Sequence, residues 1–132
     1  MQDQETGAAA NRWGRETARA LALRLGARMN GRTSNEATLE GRRVVIKCAA
    51  AGTNSVGVTY QMLDRIDEVV AAFQSADGAF VVRALSVPEF RAHLRPTRSL
   101  GPSAGKVGIV QRDAFEASGR MVSTLRLPPP TG

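Results

Sequence analysis

The fold of this chain is decided by residues 36–49, EATLEGRRVVIKCA. Glu40, Gly41 and Arg42 have the composition of a tight hairpin turn. The segment that follows, residues 43–49, is rich in the β-branched residues that strands favour. These features predict an antiparallel hairpin with strands over residues 36–40 and 43–49, and a further strand over residues 27–33 precedes it.

On either side of the hairpin, hydrophobic spacing and turn residues predict helices and strands in the overall order αβββαβαβ. Because helices and strands alternate, we expect an α/β fold with a mixed central sheet flanked by helices. The strand at 43–49 is expected to pair in parallel with the strand at 79–85 through a helical crossover. The remaining predicted segments are a helix at 8–25, a loop at 49–58, a helix at 59–74, a short helix at 86–94 opened by a Ser86–Glu89 capping box, a basic loop at 95–106, a strand at 107–110, a helix at 113–119 and an edge strand at 121–127.

The length of 132 residues is that of one domain. We expect a flexible leader over residues 1–9, a single α/β domain over 10–127 and a tail over 128–132. Cys48 is the only cysteine, so no intramolecular disulfide forms. The N-terminus carries no apolar signal segment and no run is long enough to span a membrane, so a cytoplasmic location without membrane contact is expected.

The formal net charge is +6, and 16 of the 18 cationic side chains are arginines. The charge is uneven: residues 12–47 carry nine cations and three acids, whereas residues 59–77 carry one cation and four acids. A basic face beside an acidic helix is therefore expected. The arginine guanidinium can donate two parallel hydrogen bonds to phosphate oxygens. This charge pattern therefore favours nucleic acid as the partner.

Residues 31–47, GRTSNEATLEGRRVVIK, carry a resemblance to the restriction-endonuclease-like nuclease family. That family has an αβββαβ core and a PD…(D/E)xK signature. The resemblance implies that Lys47 is the signature lysine, that Glu36 (or Asn35 beside it) is the first acid, and that Glu16 is an auxiliary acid. The chain departs from the pattern because Val45 stands where the second acid belongs.

The departure at Val45 leaves two alternatives. Either Glu40 or Asp64 supplies the second carboxylate from elsewhere, or the site does not cleave. For a working nuclease, the resemblance implies Mg²⁺ held by Glu36 and Glu40, with Glu16, Glu36, Glu40 and Lys47 as the catalytic set.

Basic and hydroxyl side chains on the first helix, in the hairpin region and in the 95–106 loop form the predicted nucleic-acid-binding surface, since cations and hydroxyls together suit a phosphate backbone. The loop lacks P-loop spacing, so no nucleotide-binding loop is predicted. The candidates are Arg12, Arg15, Arg19, Arg32, Arg42, Arg43, Arg95, Arg98, Ser99, Ser103 and Lys106.

Three functions therefore remain open from the sequence. The first is a DNA-binding protein of nuclease-like fold, with Mg²⁺-dependent endonuclease activity if the site is complete. The second is a non-catalytic DNA-binding or regulatory module with a decayed site. The third is an RNA-binding protein. A chain this short hardly surrounds a duplex alone, so a homodimer is expected.

Overall fold

The computed structural model describes residues 2–31, 34–96 and 106–127. Within these ranges the helices are α1 (Gln2–Leu25), α2 (Tyr60–Leu63), α3 (Val87–Ala92) and α4 (Arg112–Ser118). The strands are β1 (Arg28–Met29), β2 (Glu36–Leu39), β3 (Arg42–Ala49), β4 (Ser55–Thr59), β5 (Glu68–Gln74), β6 (Phe80–Ser86), β7 (Arg95–Pro96), β8 (Val107–Gln111) and β9 (Arg120–Leu125). None of the helices in the described ranges is long and apolar enough to cross a membrane.

The strands form a six-stranded sheet in the order β1-β2-β3-β5-β6-β9 and a small sheet in the order β4-β8-β7. In the large sheet β3 and β5 run parallel, and the other neighbouring strands run antiparallel. The predicted α/β fold with a mixed central sheet flanked by helices is confirmed.

The β2–β3 hairpin forms where it was predicted. Glu40 and Gly41 at the turn have φ values of 53° and 79°, the left-handed backbone of a two-residue type I′ connection. The hairpin pairs Glu36 with Val45 and Leu39 with Arg42. The backbone bond from Ile46 to the Asn35 carbonyl continues this pairing by one residue. Beyond it, no described residue pairs with this edge of β3.

Two apolar layers enclose the large sheet. On one face, Leu21 of α1 packs with Val44 and Ile46. On the other, Val45 packs with side chains from β4, α2, α3 and α4, including Phe115. Adjacent β3 residues point to opposite faces, so Lys47 lies on the same face as Val45, away from α1.

The predicted helix at 59–74 is wrong. Only Tyr60–Leu63 is helical, and Glu68–Gln74 is the strand β5. Glu68 to Phe73 are all buried, because β5 is a central strand covered on both faces, and such a continuous apolar run satisfies helical spacing as well as a strand. The parallel partner of β3 is consequently β5 and not the strand at 79–85. The expected acidic helix does not exist.

Several boundaries also differ from the prediction. The first helix begins at Gln2, so residues 2–9, predicted as a leader, are helical. Of the strand predicted at 27–33, only Arg28–Met29 is a strand among the described residues, and the loop predicted at 49–58 contains part of β4. The capping box is confirmed by reciprocal bonds between Ser86 and Glu89. The predicted tail at 128–132 lies outside the described residues.

Candidate functional site

A cleft of about 580 Å³ opens along this edge of β3. Val45 and Lys47 line it from one face of the strand and Cys48 from the other, so the cleft wraps around that edge. Its other walls come from α1, from the residues just before β2 and from the junction of β4 with α2. The full lining is Gly14, Arg15, Ser34, Asn35, Val45, Lys47, Cys48, Val58, Thr59 and Met62.

Lys47 is a half-buried cation in this cleft. Desolvation by burial lowers the pKa of Lys47, an effect that the neighbouring Cys48 partly opposes. Burial also raises the pKa of Cys48 to about 12, so its thiol stays neutral near pH 7. Within the described residues, the Lys47 ammonium has no hydrogen-bond or ion-pair partner. An uncompensated, partly desolvated cation favours an external anion.

Val45, which stands at the position of the missing acid, is a core residue. It is 1% exposed and packs in the apolar cluster on the Lys47 face of the sheet. Its side chain offers no oxygen to a metal ion. The apolar core therefore reaches the wall of the cleft at the point where the family resemblance implies a carboxylate.

Glu36 lies directly across from Val45 in the β2–β3 register, so it shares the face of Val45 and Lys47. Its carboxylate is engaged elsewhere. Arg65 Nη2 lies 3.1 Å from Glu36 Oε1, and Asn30 Nδ2 donates to Glu36 Oε2 at 3.3 Å. Glu36 lines an adjoining cleft of about 440 Å³ and not the Lys47 cleft.

The other predicted acids lie apart from Lys47. Glu16 is exposed on α1 and is absent from the cleft wall, and Glu40 is exposed at the hairpin turn. Glu40 and Lys47 are separated by most of β3, roughly 20 Å at the usual strand rise. Asp64 ends α2 and pairs with Arg91 at 2.8 Å. The structure thus does not bring Glu16, Glu36 and Glu40 together.

The predicted phosphate-binding cations have several environments. Arg15 lines the Lys47 cleft, and Arg43 lines the adjoining one. Arg19 donates to the Gly31 carbonyl at 3.0 Å, and Arg42 pairs with the Glu68 carboxylate at 3.2 Å. Three further exposed candidates line neither of these two clefts: Arg12, Arg95 and Lys106. The residues outside the described ranges are Arg32, Arg98, Ser99 and Ser103.

No protein-family model and no curated protein matches this chain. The chain is similar to a solved Holliday junction resolvase. That structure is Hjc of the archaeal hyperthermophile Archaeoglobus fulgidus, with 14% identity and a TM-score of 0.46 over 83% of this chain and 91% of Hjc. At these values neither a family nor an activity follows for this chain from the likeness.

The chemistry of the cleft does not fit the Mg²⁺ that the family resemblance implies. Magnesium is held by oxygen ligands, with carboxylates supplying the negative charge. The described lining contains no carboxylate, whereas Lys47 and Arg15 repel a cation. Nor does any group of three or more His, Cys, Asp or Glu side chains within the described residues have the geometry to hold a metal ion.

Sequence reasoning missed two hydroxyl side chains in the cleft wall, Ser34 and Thr59. Ser34 lies just before the predicted hairpin, and Thr59 was assigned to the start of the wrong helix. A helix-cap signal at Thr59 was available, since a threonine before a helical turn is a common N-cap. No local pattern links either hydroxyl to Lys47, because the cleft forms only when α1, β3 and β4 meet.

Proposed function

We propose that this chain is a DNA-binding protein of nuclease-like fold that holds the phosphate backbone without cleaving it. The observation that carries the proposal is the Lys47 cleft, whose described polar side chains are two cations and neutral hydrogen-bonding groups with no carboxylate. The order α1, β1–β3, α2, β5 supports the fold assignment, because it follows the αβββαβ core with β4 inserted.

The surface around the cleft supports a phosphate-rich partner. Arg12 and Arg15 are exposed on α1, Arg43 is exposed on β3, and no ion pair engages these three among the described residues. Arginines that keep all their donors available bind phosphate oxygens without first breaking an internal pair. Neutralisation of the backbone by such cations supplies most of the affinity for nucleic acid and makes it depend on salt.

The test is the binding of a fluorescent DNA duplex measured over a series of salt concentrations. We expect the logarithm of the association constant to fall linearly with the logarithm of salt, and Arg15→Met to reduce the slope by about one phosphate contact. Arg24→Met is the matched control, because Arg24 is exposed on the same helix but does not line the cleft. No binding at modest salt would refute the proposal, and preferential competition by RNA would favour the RNA-binding alternative.

A Mg²⁺-dependent endonuclease is the second candidate, favoured by one observation: Glu36 shares the sheet face of Lys47 and faces Val45 across the hairpin. Plasmid nicking with Mg²⁺ or Mn²⁺ that disappears in Lys47→Ala would establish this activity and overturn the non-catalytic proposal. We expect binding without nicking. A gain of Mg²⁺ affinity in Val45→Glu would support a decayed site at this position.

A homodimer is part of the proposal, because two copies related by a two-fold axis present two clefts to a duplex. Light scattering of the protein alone and with duplex measures the mass of each species. A monomer that binds DNA with one copy per duplex would remove the dimer from the proposal and leave the DNA binding in place.

A further inference from the structure

We infer that the Lys47 cleft binds a phosphate group directly, with side-chain and backbone donors in the place of the divalent metal that nuclease-like sites use. The inference rests on the proposed DNA binding for the source of the phosphate. It goes further because it assigns the ligand class of one cleft and predicts that binding there needs no divalent ion.

The hydroxyl groups in the cleft are set as donors. The backbone N–H of Glu36 donates to Ser34 Oγ at 3.0 Å, and the backbone N–H of Met62 donates to Thr59 Oγ1 at 3.1 Å. A hydroxyl that accepts a bond in this way keeps its own proton to donate. No described residue accepts those protons, so both remain available to an anion in the cleft.

The β3 edge that lines the cleft adds a backbone donor. The N–H of Ile46 donates to the Asn35 carbonyl at 3.0 Å, which fixes the edge that Ile46 faces. Amides two residues apart along a strand face the same edge, so the N–H of Cys48 also points to this side. The paired part of β2 ends opposite Val45, and Cys48 lines the cleft. Its amide therefore points to the edge along which the cleft opens, and no carbonyl among the described residues accepts it.

Two positive charges in the cleft add to these donors. Lys47 is half-buried with no described partner, and Arg15 stands on the α1 wall of the same cleft. A phosphate group has several acceptor oxygens, and together the ammonium, the guanidinium, two hydroxyls and a backbone amide match it. A metal ion requires acceptor oxygens and negative charge, whereas this cleft presents hydrogen-bond donors and positive charge.

The first experiment measures fluorescence anisotropy of a short duplex in EDTA and in Mg²⁺ at equal ionic strength. We expect similar affinity in both, a loss of about tenfold or more in Lys47→Met, and a clear loss in Arg15→Met. Arg24→Met should change affinity by no more than about threefold. Binding that requires Mg²⁺, or a Lys47→Met loss no larger than that of Arg24→Met, would overturn the inference.

Two further arms identify the source of the phosphate. The affinities of duplexes with 5′-hydroxyl ends and with 5′-phosphate ends are compared. Equal affinity means that the cleft binds an internal phosphodiester. A higher affinity for the 5′-phosphate duplex that Lys47→Met abolishes means that the cleft binds a terminal phosphate. Both results support a phosphate site. A gain that persists in Lys47→Met would place the end phosphate elsewhere and count against the cleft.

Inorganic phosphate added to the protein alone separates this inference from the proposed function. We expect the amide resonance of Cys48 to shift with phosphate in the wild type and not in Lys47→Met. That shift in a protein that fails to bind duplex would keep the phosphate cleft and reject DNA as its ligand. Duplex binding with no phosphate-dependent change at Cys48 would keep the DNA proposal and reject the cleft.

Discussion

Replacing Lys47 with methionine should stabilise this protein while weakening its binding to phosphate. Lys47 is half-buried on β3, and no anion among the described residues faces its ammonium. Desolvation by burial lowers the pKa of Lys47 although Cys48 partly opposes it. The charged form is thus less stable in the folded protein than in the unfolded chain. Methionine keeps the unbranched stem and removes the charge.

The expected gain is about 1 kcal/mol in the free energy of unfolding, the scale seen when a poorly compensated polar group of a functional site is replaced by an apolar one. The gain in stability stays small because the Lys47 ammonium lies at the cleft wall. It is not among the fully buried side-chain atoms that lack a hydrogen-bond partner in the described residues. For a chain of 132 residues, about 1 kcal/mol raises the melting temperature by roughly 3–4 °C.

The gain should depend on pH with a definite sign. The unfolded lysine titrates near pH 10.4, and the folded pKa of Lys47 lies below its ordinary value. Between the two values the unfolded chain binds more protons, so the wild type becomes more stable as pH rises through this window. The advantage of Lys47→Met is therefore full below the folded pKa and shrinks toward pH 10.4.

Chemical denaturation of both proteins, at neutral pH and near pH 10, measures the effect. Lys106→Met is the matched control, because the exposed Lys106 side chain should change stability by less than about 0.5 kcal/mol. A destabilised Lys47→Met protein, or a gain that is the same at both pH values, would refute the claim that a desolvated ammonium lines the cleft.

Three other predictions concern the scaffold. Burial alone would raise the pKa of Glu68, but hydrogen bonds from two arginines outweigh burial and lower that pKa. Glu68→Gln should therefore lower the free energy of unfolding by about 1–2 kcal/mol at neutral pH. The variant should also lose less stability than the wild type as the pH falls below about 4. Gly119→Ala would place a Cβ 2.5 Å from the Phe115 carbonyl oxygen and should cost about 1–3 kcal/mol in denaturant melts, whereas Gly14→Ala meets open space on α1 and should stabilise by up to about 1 kcal/mol. Burial raises the pKa of Cys48 to about 12, so a thiol reagent near pH 8 should label the native protein far more slowly than the unfolded chain.

The hairpin at the centre of the fold was predictable because its signals are local. The turn at Glu40 and Gly41 and the β-branched run that follows lie within a few residues of one another, and the structure places β2 and β3 there. The capping box at Ser86 and the strand β8 followed from equally short patterns. Each element depends on contacts between near neighbours in the chain.

The strand β5 was not predictable in the same way. Val69, Val70 and Phe73 fit the apolar stripe of a helix with Glu68 on its polar face, and the choice between helix and strand depends on what covers the second face. The two covering helices are distant in the sequence: α1 precedes β5 and α4 follows it, each separated from β5 by roughly 40 residues. Even Glu68, which suggested an acidic surface, is 8% exposed and lies between Arg42 and Arg120.

The candidate site was predictable only in part. The family resemblance implied Lys47 as the signature lysine, and in the structure Lys47 lines the cleft of about 580 Å³. The sequence could not predict that the Ser34 and Thr59 hydroxyls are available as donors, because this depends on which backbone amide donates to each hydroxyl oxygen. The sequence showed the lysine, whereas the partners around it come from separate elements.

Val45 stands where the family resemblance implies an acid, and its surroundings determine what a metal site would require here. A single new carboxylate at position 45 would face Lys47 on the same side of β3 and would pair with that ammonium. Glu36, the other acid on this face, is already held by Arg65 and Asn30. A magnesium site would therefore need both a new acid and the release of Glu36 from Arg65. The cleft differs from a metal site by more than one residue, and its hydroxyl and amide donors are oriented for an anion.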